Sequence, residues 1–215
     1  MFIGHLALGF AAKRAAPRIS LGALFAASQL PDLLWPVFLA VGIEQVRIAP
    51  GATPFTPLEF VSYPYSHSLL FVTIWGLAFG GLYGLRLHGF RAVAVVALLV
   101  VSHWVLDWVS HGPDMPLYPG SRTFGLGLWY SVPGTIIVES TLFVAGTWAY
   151  ARLTRPRNTT GRWAFISLVT LLVVAYVANI VGGPPPSIEA LWMGALAGAA
   201  VILGMALWVD RHRTI

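Results

Sequence analysis

Six apolar stretches of about twenty residues run through this chain, and they leave it few ways to fold. An α-helix rises about 1.5 Å per residue, so roughly twenty residues cross the ~30 Å hydrocarbon core of a bilayer. Within that core every backbone polar group must be satisfied internally, which helices achieve and irregular segments do not. The stretches 19–41, 66–87, 90–109, 131–151, 163–182 and 189–209 have the required length, and a shorter apolar helix is expected over 2–16. Composition agrees: 57% of residues are hydrophobic and 10% charged, against about a quarter charged in soluble domains. The expected architecture is all-α: one membrane-embedded bundle over 1–215 with six long spans plus the short N-terminal helix.

Three connections, 42–65, 110–130 and 183–188, contain Pro50-Gly51, Pro119-Gly120 and Pro184-Pro185-Pro186 and read as loops. Eleven of the thirteen basic residues lie elsewhere: Lys13, Arg14 and Arg18; Arg86 and Arg91; Arg152, Arg155, Arg157 and Arg162; Arg211 and Arg213. Cytoplasmic loops are enriched in Lys and Arg, so these short loops and the C-terminus are expected in the cytoplasm and the Pro/Gly-rich loops outside. The formal charge of +5 is thereby topological, and no nucleic-acid partner is expected. Trp35, Trp129 and Trp192 fall near the outer interface, and Trp148, Trp163 and Trp208 near the inner one. Lys13-Arg14 follow the first apolar run instead of preceding it, which argues against a cleavable signal peptide.

Ionisable groups inside spans cost at least ~2.5–3.5 kcal/mol each and usually mark function. Here they are His5, Asp32, His67, His103, Asp107 and Glu139. A spacing of four puts His103 and Asp107 on one helix face, which His111 continues if the helix persists another turn. In the topology above, His103 lies about 9 Å and Asp32 about 13 Å below the outer ends of their spans, and His5 and His67 enter from the same side. Four segments thus deliver imidazole or carboxylate to one level. With no cysteine in the chain, a metal must use these groups, and imidazole with carboxylate suits zinc, manganese or iron. Zinc is the first choice, as one or two ions. The blander readings are a His103–Asp107 pair that only fixes helix packing, a helix-start His67 capped by Ser66, and a solvated His111. Glu139 reads as a structural or supporting carboxylate before it reads as a ligand, and His88 and His212 are assigned no role.

In order along the chain, Gly4-His5, Pro31-Asp32, Ser66-His67-Ser68, His103 to Asp107, Gly112 and Leu117-Tyr118-Pro119 resemble the family of predicted membrane-bound metal-dependent hydrolases, the YdjM-like inner-membrane proteins. The resemblance covers roughly 1–135 and leaves the last two spans without a counterpart. Two positions differ: Leu34 stands where members often carry a second acid, and Tyr63-Pro64-Tyr65 where they carry a basic residue. The His-x-x-x-Asp element is also similar to that of zinc-dependent phospholipase C. The resemblance implies an inner-membrane location and phosphoester chemistry.

The expectation that follows is metal-assisted hydrolysis at the outer leaflet, on a phosphoester or lipid-linked substrate, with His5, Asp32, His67, His103 and Asp107 as ligands. Asp32 or Asp107, if not fully engaged with metal, would accept the proton of the attacking water, and Arg122 or Arg47 would hold an anionic group, although Arg122 reads first as an ordinary solvated loop residue. The competing class is a non-enzymatic protein, either a cation or proton transporter or a metal-stapled scaffold. The inner halves of the spans are almost purely apolar, which favours a one-sided site over a pathway.

Overall fold

The computed structural model describes every residue except His88 and the side chain of Leu87. His88, assigned no role above, therefore lies outside the described residues. Helix α1 (Ile3–Ala12) is followed by α2 (Leu21–Ser28), whose Ser20 cap accepts from the Ala23 amide at 3.2 Å. Helix α3 (Leu30–Ala40) leads into an antiparallel hairpin of β1 (Gln45–Ile48) and β2 (Leu58–Ser62) and then a single turn, α4 (Pro64–His67). Next come α5 (Leu69–Leu87) and α6 (Phe90–Ser110), a two-residue ladder of β3 (Met115–Pro116) with β4 (Thr123–Phe124), and a 3₁₀ turn at Leu128–Tyr130. Helices α7 (Val132–Leu153), α8 (Thr159–Val181) and α9 (Ile188–Arg211) complete the bundle, and β5 (Arg155–Pro156) pairs with β6 (Arg213–Thr214).

Helices α5 to α9 are each long and apolar enough to cross a membrane, and α2 with α3 makes a sixth if the bent pair is one span. The chain is a multi-pass helical membrane protein. Three features depart from the sequence reading. The expected span 19–41 is two helices meeting at 61°, because Gln29 leaves the helical region (φ −110°, ψ 8°) and Pro31 brings no amide hydrogen to continue the ladder. The span expected from residue 66 begins at Leu69 instead, since Ser68 is extended (φ −74°, ψ 146°) and detaches α4 from α5. The connections also carry short strands, which the all-α reading left as loops.

Helix α1 is too short to cross by itself and is held by its neighbours. Ile3, Leu6 and Phe10 are buried in a cluster with Phe25, Phe143, Tyr150 and Leu168. Gly146 of α7 lies so close to α1 that a Cβ there would sit 2.2 Å from the Ala7 carbonyl oxygen. Gly80 brings α5 onto α6 in the same way, with a Cβ position 2.7 Å from the Val93 carbonyl. Small residues allow this approach where the surrounding lipid gives helices no hydrophobic reason to associate.

Three of the four basic segments, around Lys13, Arg155 and Arg213, meet at one end of the bundle. Lys13 Nζ meets Asp210 Oδ1 at 2.7 Å and the Ile19 carbonyl at 2.8 Å, while Arg213 donates to the Thr154 carbonyl and hydroxyl, both at 2.9 Å. His5 lies about 12 Å back along α1 from Lys13, at ~1.5 Å per residue, toward the other end. Trp148, Trp163 and Trp208 are exposed on the helices near the basic end, with the Arg152 guanidinium 5.2 Å above the Trp148 ring.

Candidate metal centre

His103 and Asp107 stand one turn apart on α6, and the other three expected ligands converge on them. Asp107 is the hub. Its Oδ1 lies 3.0 Å from His5 Nε2, and its Oδ2 lies 2.9 Å from His103 Nε2 and 3.7 Å from His67 Nε2. Asp32 Oδ1 is 3.4 Å from His67 Nε2 and 3.7 Å from His103 Nε2. The His5 and His103 rings stack with centroids 3.7 Å apart and planes 8° from parallel. The Met1 amino nitrogen is also 2.5 Å from Asp107 Oδ1. Two triads result, His5–His103–Asp107 and Asp32–His67–His103, each offering three ligand atoms within 4.8 Å of one another. They share His103.

The surroundings decide which ring nitrogens face inward. His103 Nδ1 lies 2.8 Å from the Ser28 carbonyl at the α2–α3 break. A carbonyl only accepts, so Nδ1 carries the proton and a neutral His103 presents a lone pair at Nε2. That nitrogen faces Asp107 Oδ2 yet hydrogen-bonds to no described group. With His103 neutral, two buried acceptors face each other at 2.9 Å, an arrangement that a divalent ion between or beside them would relieve, as protonation of the ring also would. His67 is fixed in the same manner. Its Nδ1 is 2.7 Å from Ser66 Oγ, whose hydroxyl donates to Glu44 Oε2 at 2.6 Å, so Nε2 again turns its lone pair toward Asp32 and Asp107. Glu44 is anchored by the Tyr65 and Ser66 amides, both 2.8 Å from Oε1. Burial pushes the Glu44 carboxyl up from its ordinary range, against the downward pull of these hydrogen bonds. Metal-binding imidazoles characteristically donate their other nitrogen to a carbonyl or carboxylate partner, and the residues present fit a divalent ion.

Sequence reasoning did not find Glu44 or Ser28 as supports. Glu44 is in a loop far from any motif, and Ser28 acts through its backbone, so neither leaves a local signal. Ser66→Ala or Glu44→Gln is expected to weaken metal affinity roughly 10- to 100-fold by releasing the His67 ring. Metal titration against a chromogenic chelator measures this, with helical content by circular dichroism unchanged.

Other expected site residues sit differently. The α6 helix stops at Ser110, and His111 is extended (φ −68°, ψ 156°), so the face of His103 and Asp107 does not continue to it. His111 is buried, not solvated, against Trp129 (ring centroids 4.1 Å apart), and its Nδ1 is 3.1 Å from Asp114 Oδ1. Tyr63 completes that separate cluster by donating to Asp114 Oδ1 at 2.9 Å. Burial, then the Asp114 carboxylate, hold its phenol well above the usual range. Glu139 is fully buried and its Oε2 accepts the Phe2 and Gly4 amides at 2.8 and 3.2 Å. It therefore fixes the start of α1, and with it His5, without joining either triad. Arg122 is exposed beside the β3–β4 ladder, and Arg47 is exposed and pairs with Glu59 at 3.4 Å. Neither lines the cleft that opens at the site, so the anion-holding role expected of them has no support in this geometry. His212 lies by Trp208 at the basic end.

One member of the cluster reaches open space. The Asp32 side chain is 36% exposed, against 4% or less for His5, His67, His103 and Asp107. It borders a cleft of about 590 Å³ between α1, α3, α8 and α9.

No curated protein and no solved structure matches the chain. The model of the YdjM inner membrane protein family matches residues 1–183. The match passes the limit of 135 read from the motifs to take in α7 and α8, and leaves α9 outside. With the five converging His and Asp residues and most of the bundle inside the matched region, this chain belongs to the YdjM inner membrane protein family.

Proposed function

We propose that this inner-membrane protein is a metal-dependent hydrolase acting on a phosphoester of a lipid or lipid-linked substrate at the outer face of the membrane. The observation that carries the reading is the pair of inward-facing imidazole lone pairs on His103 and His67, fixed from behind by Ser28 and by Ser66–Glu44 and set against two carboxylates. His5, Asp32, His67, His103 and Asp107 would hold the ion, zinc by choice of donors. When bound, it supplies charge that polarises a phosphoryl oxygen and makes water acidic enough to ionise near neutral pH.

Asp32 has the exposure a reacting group needs. In the proposed reaction its free oxygen takes one proton from water as the water oxygen bonds to phosphorus; the ester P–O bond breaks, and Asp32 returns that proton to the leaving oxygen. Asp107 is buried among three imidazoles and holds charge in place. The outer location is supported by the three basic segments that meet at the end of the bundle away from His5.

The test uses metal-loaded protein in sealed vesicles with phospholipid added to one leaflet and release of headgroup or phosphate as the readout. Turnover is expected only for the leaflet on the side of the β1–β2 hairpin. Asp32→Asn should lower it by about 10²- to 10⁴-fold, the usual worth of a positioned base. Stoichiometric metal with no turnover on any phosphoester would overturn the hydrolase reading and leave a metal-stapled scaffold.

A further inference from the structure

The cleft at Asp32 is lined by two unlike sets of residues. One is polar and includes Asp32, Gln29 and Trp35. Trp35 is only 8% exposed, and its indole Nε1 has no acceptor among the described residues; Gln29 Oε1 likewise has no donor. A buried donor and a buried acceptor without partners are costly. The other set lies on α9, where Gly194, Ala195, Gly198 and Ala199 present only small side chains. A Cβ built at Gly194 or Gly198 meets nothing within 4 Å, so these glycines leave open space and do not serve a close helix contact. This surface belongs to a helix apolar enough to cross the membrane. The bilayer, not water, is what meets it.

We propose that this cleft binds one phospholipid of the surrounding membrane, with its headgroup at Asp32, Gln29 and Trp35 and a hydrocarbon chain along the Gly194–Gly198 face of α9. The volume, about 590 Å³, lies within the roughly 300–1,000 Å³ of small-ligand sites. The unpaired atoms define the headgroup. Trp35 Nε1 needs an acceptor, which a phosphate oxygen provides; Gln29 Oε1 needs a donor, which an ethanolamine ammonium or a glycerol hydroxyl provides and a choline does not. The chain gains little by exchanging lipid neighbours for protein, so selection lies in the headgroup and in the shape of the groove. This inference deepens the hydrolase reading by naming its substrate class, and it rests on that reading for any chemistry at Asp32. Lipid binding itself is measured separately.

Delipidated protein in detergent is titrated with phosphatidylethanolamine, phosphatidylglycerol and phosphatidylcholine, and bound lipid is counted by native mass spectrometry. The first two are expected to bind about tenfold more tightly than the third, a difference of ~1.4 kcal/mol. Gly198→Trp and Gly194→Trp place a bulky side chain whose Cβ starts in open space and should lower binding of every lipid about tenfold, with metal content and Tm retained. Equal binding of all three lipids together with retention by Gly198→Trp overturns the proposal. So does a dimer that Gly198→Trp dissociates, since the face would then be an interface between copies. Lipid binding that survives while turnover is absent counts against the hydrolase reading alone.

Discussion

Protein carrying His103→Ala with Asp107→Ala is expected to purify without metal, whereas the unmodified chain retains one or two ions in chelator-free buffer. The affinity loss should exceed about 100-fold, because losing a supporting partner already costs 10- to 100-fold and here two groups that bear directly on the site are removed. His103 belongs to both triads, and Asp107 touches all three imidazoles, so no other pair of substitutions dismantles more of the cluster. Elemental analysis gives the stoichiometry. Thermal unfolding supplies a second readout: an ion at a hundred times its Kd stabilises the folded state by ~2.7 kcal/mol, so added metal should raise the Tm of the unmodified protein and not of the double variant. Asp107→Asn keeps the shape of the side chain and guards against a variant that merely fails to fold. Unmodified protein with no bound metal, and no Tm response to any of zinc, manganese or iron, would sink the metal reading.

Gly146→Leu is expected to be strongly damaging although it lies outside the cluster. The new side chain would start 2.2 Å from the Ala7 carbonyl oxygen and 2.8 Å from its Cα, and backbone cannot give way as a flexible side chain can. Overpacking costs about 1–3 kcal/mol and sometimes more. Since α1 carries His5 and is seated on α7 through this contact, the Tm should fall and metal affinity should fall with it. Gly204→Ala is the control: nothing lies within 4 Å of its Cβ position, so the gain in helix propensity, at most about 1 kcal/mol, should leave Tm unchanged or slightly raised. Equal Tm for Gly146→Leu and the unmodified protein would show that α1 is not held as described.

The five converging residues were legible before the fold because an imidazole or carboxylate inside an apolar span is costly, and cost narrows the candidates to a few. His111 shows where that reasoning ends. Spacing put it on the His103–Asp107 face, but α6 terminates at Ser110 and turns its imidazole to Asp114 and Trp129. Glu139 shows the opposite: its buried carboxylate was read as a supporting group, and it holds two amides at the start of α1. Arg122 was nominated for its charge and side of the membrane, neither of which says how far a loop stands from a cleft.

Hydropathy is a local property, so the sequence by itself determined that the chain is a helical membrane bundle, roughly where its spans run, and which ionisable groups are stranded inside them. The sense in which basic residues cluster is also local to each loop, and it carried the grouping of three of those segments at one end. The breaks at Gln29 and Ser68 were decided only by the tertiary structure, because each depends on what the freed backbone and the redirected side chains can reach. Those breaks expose the Ser28 carbonyl to His103 and turn His67 toward Asp32. The inward lone pairs, the Glu44 support and the cleft at Asp32 all arise from pairings between residues far apart in the chain, and no spacing rule along one helix contains them.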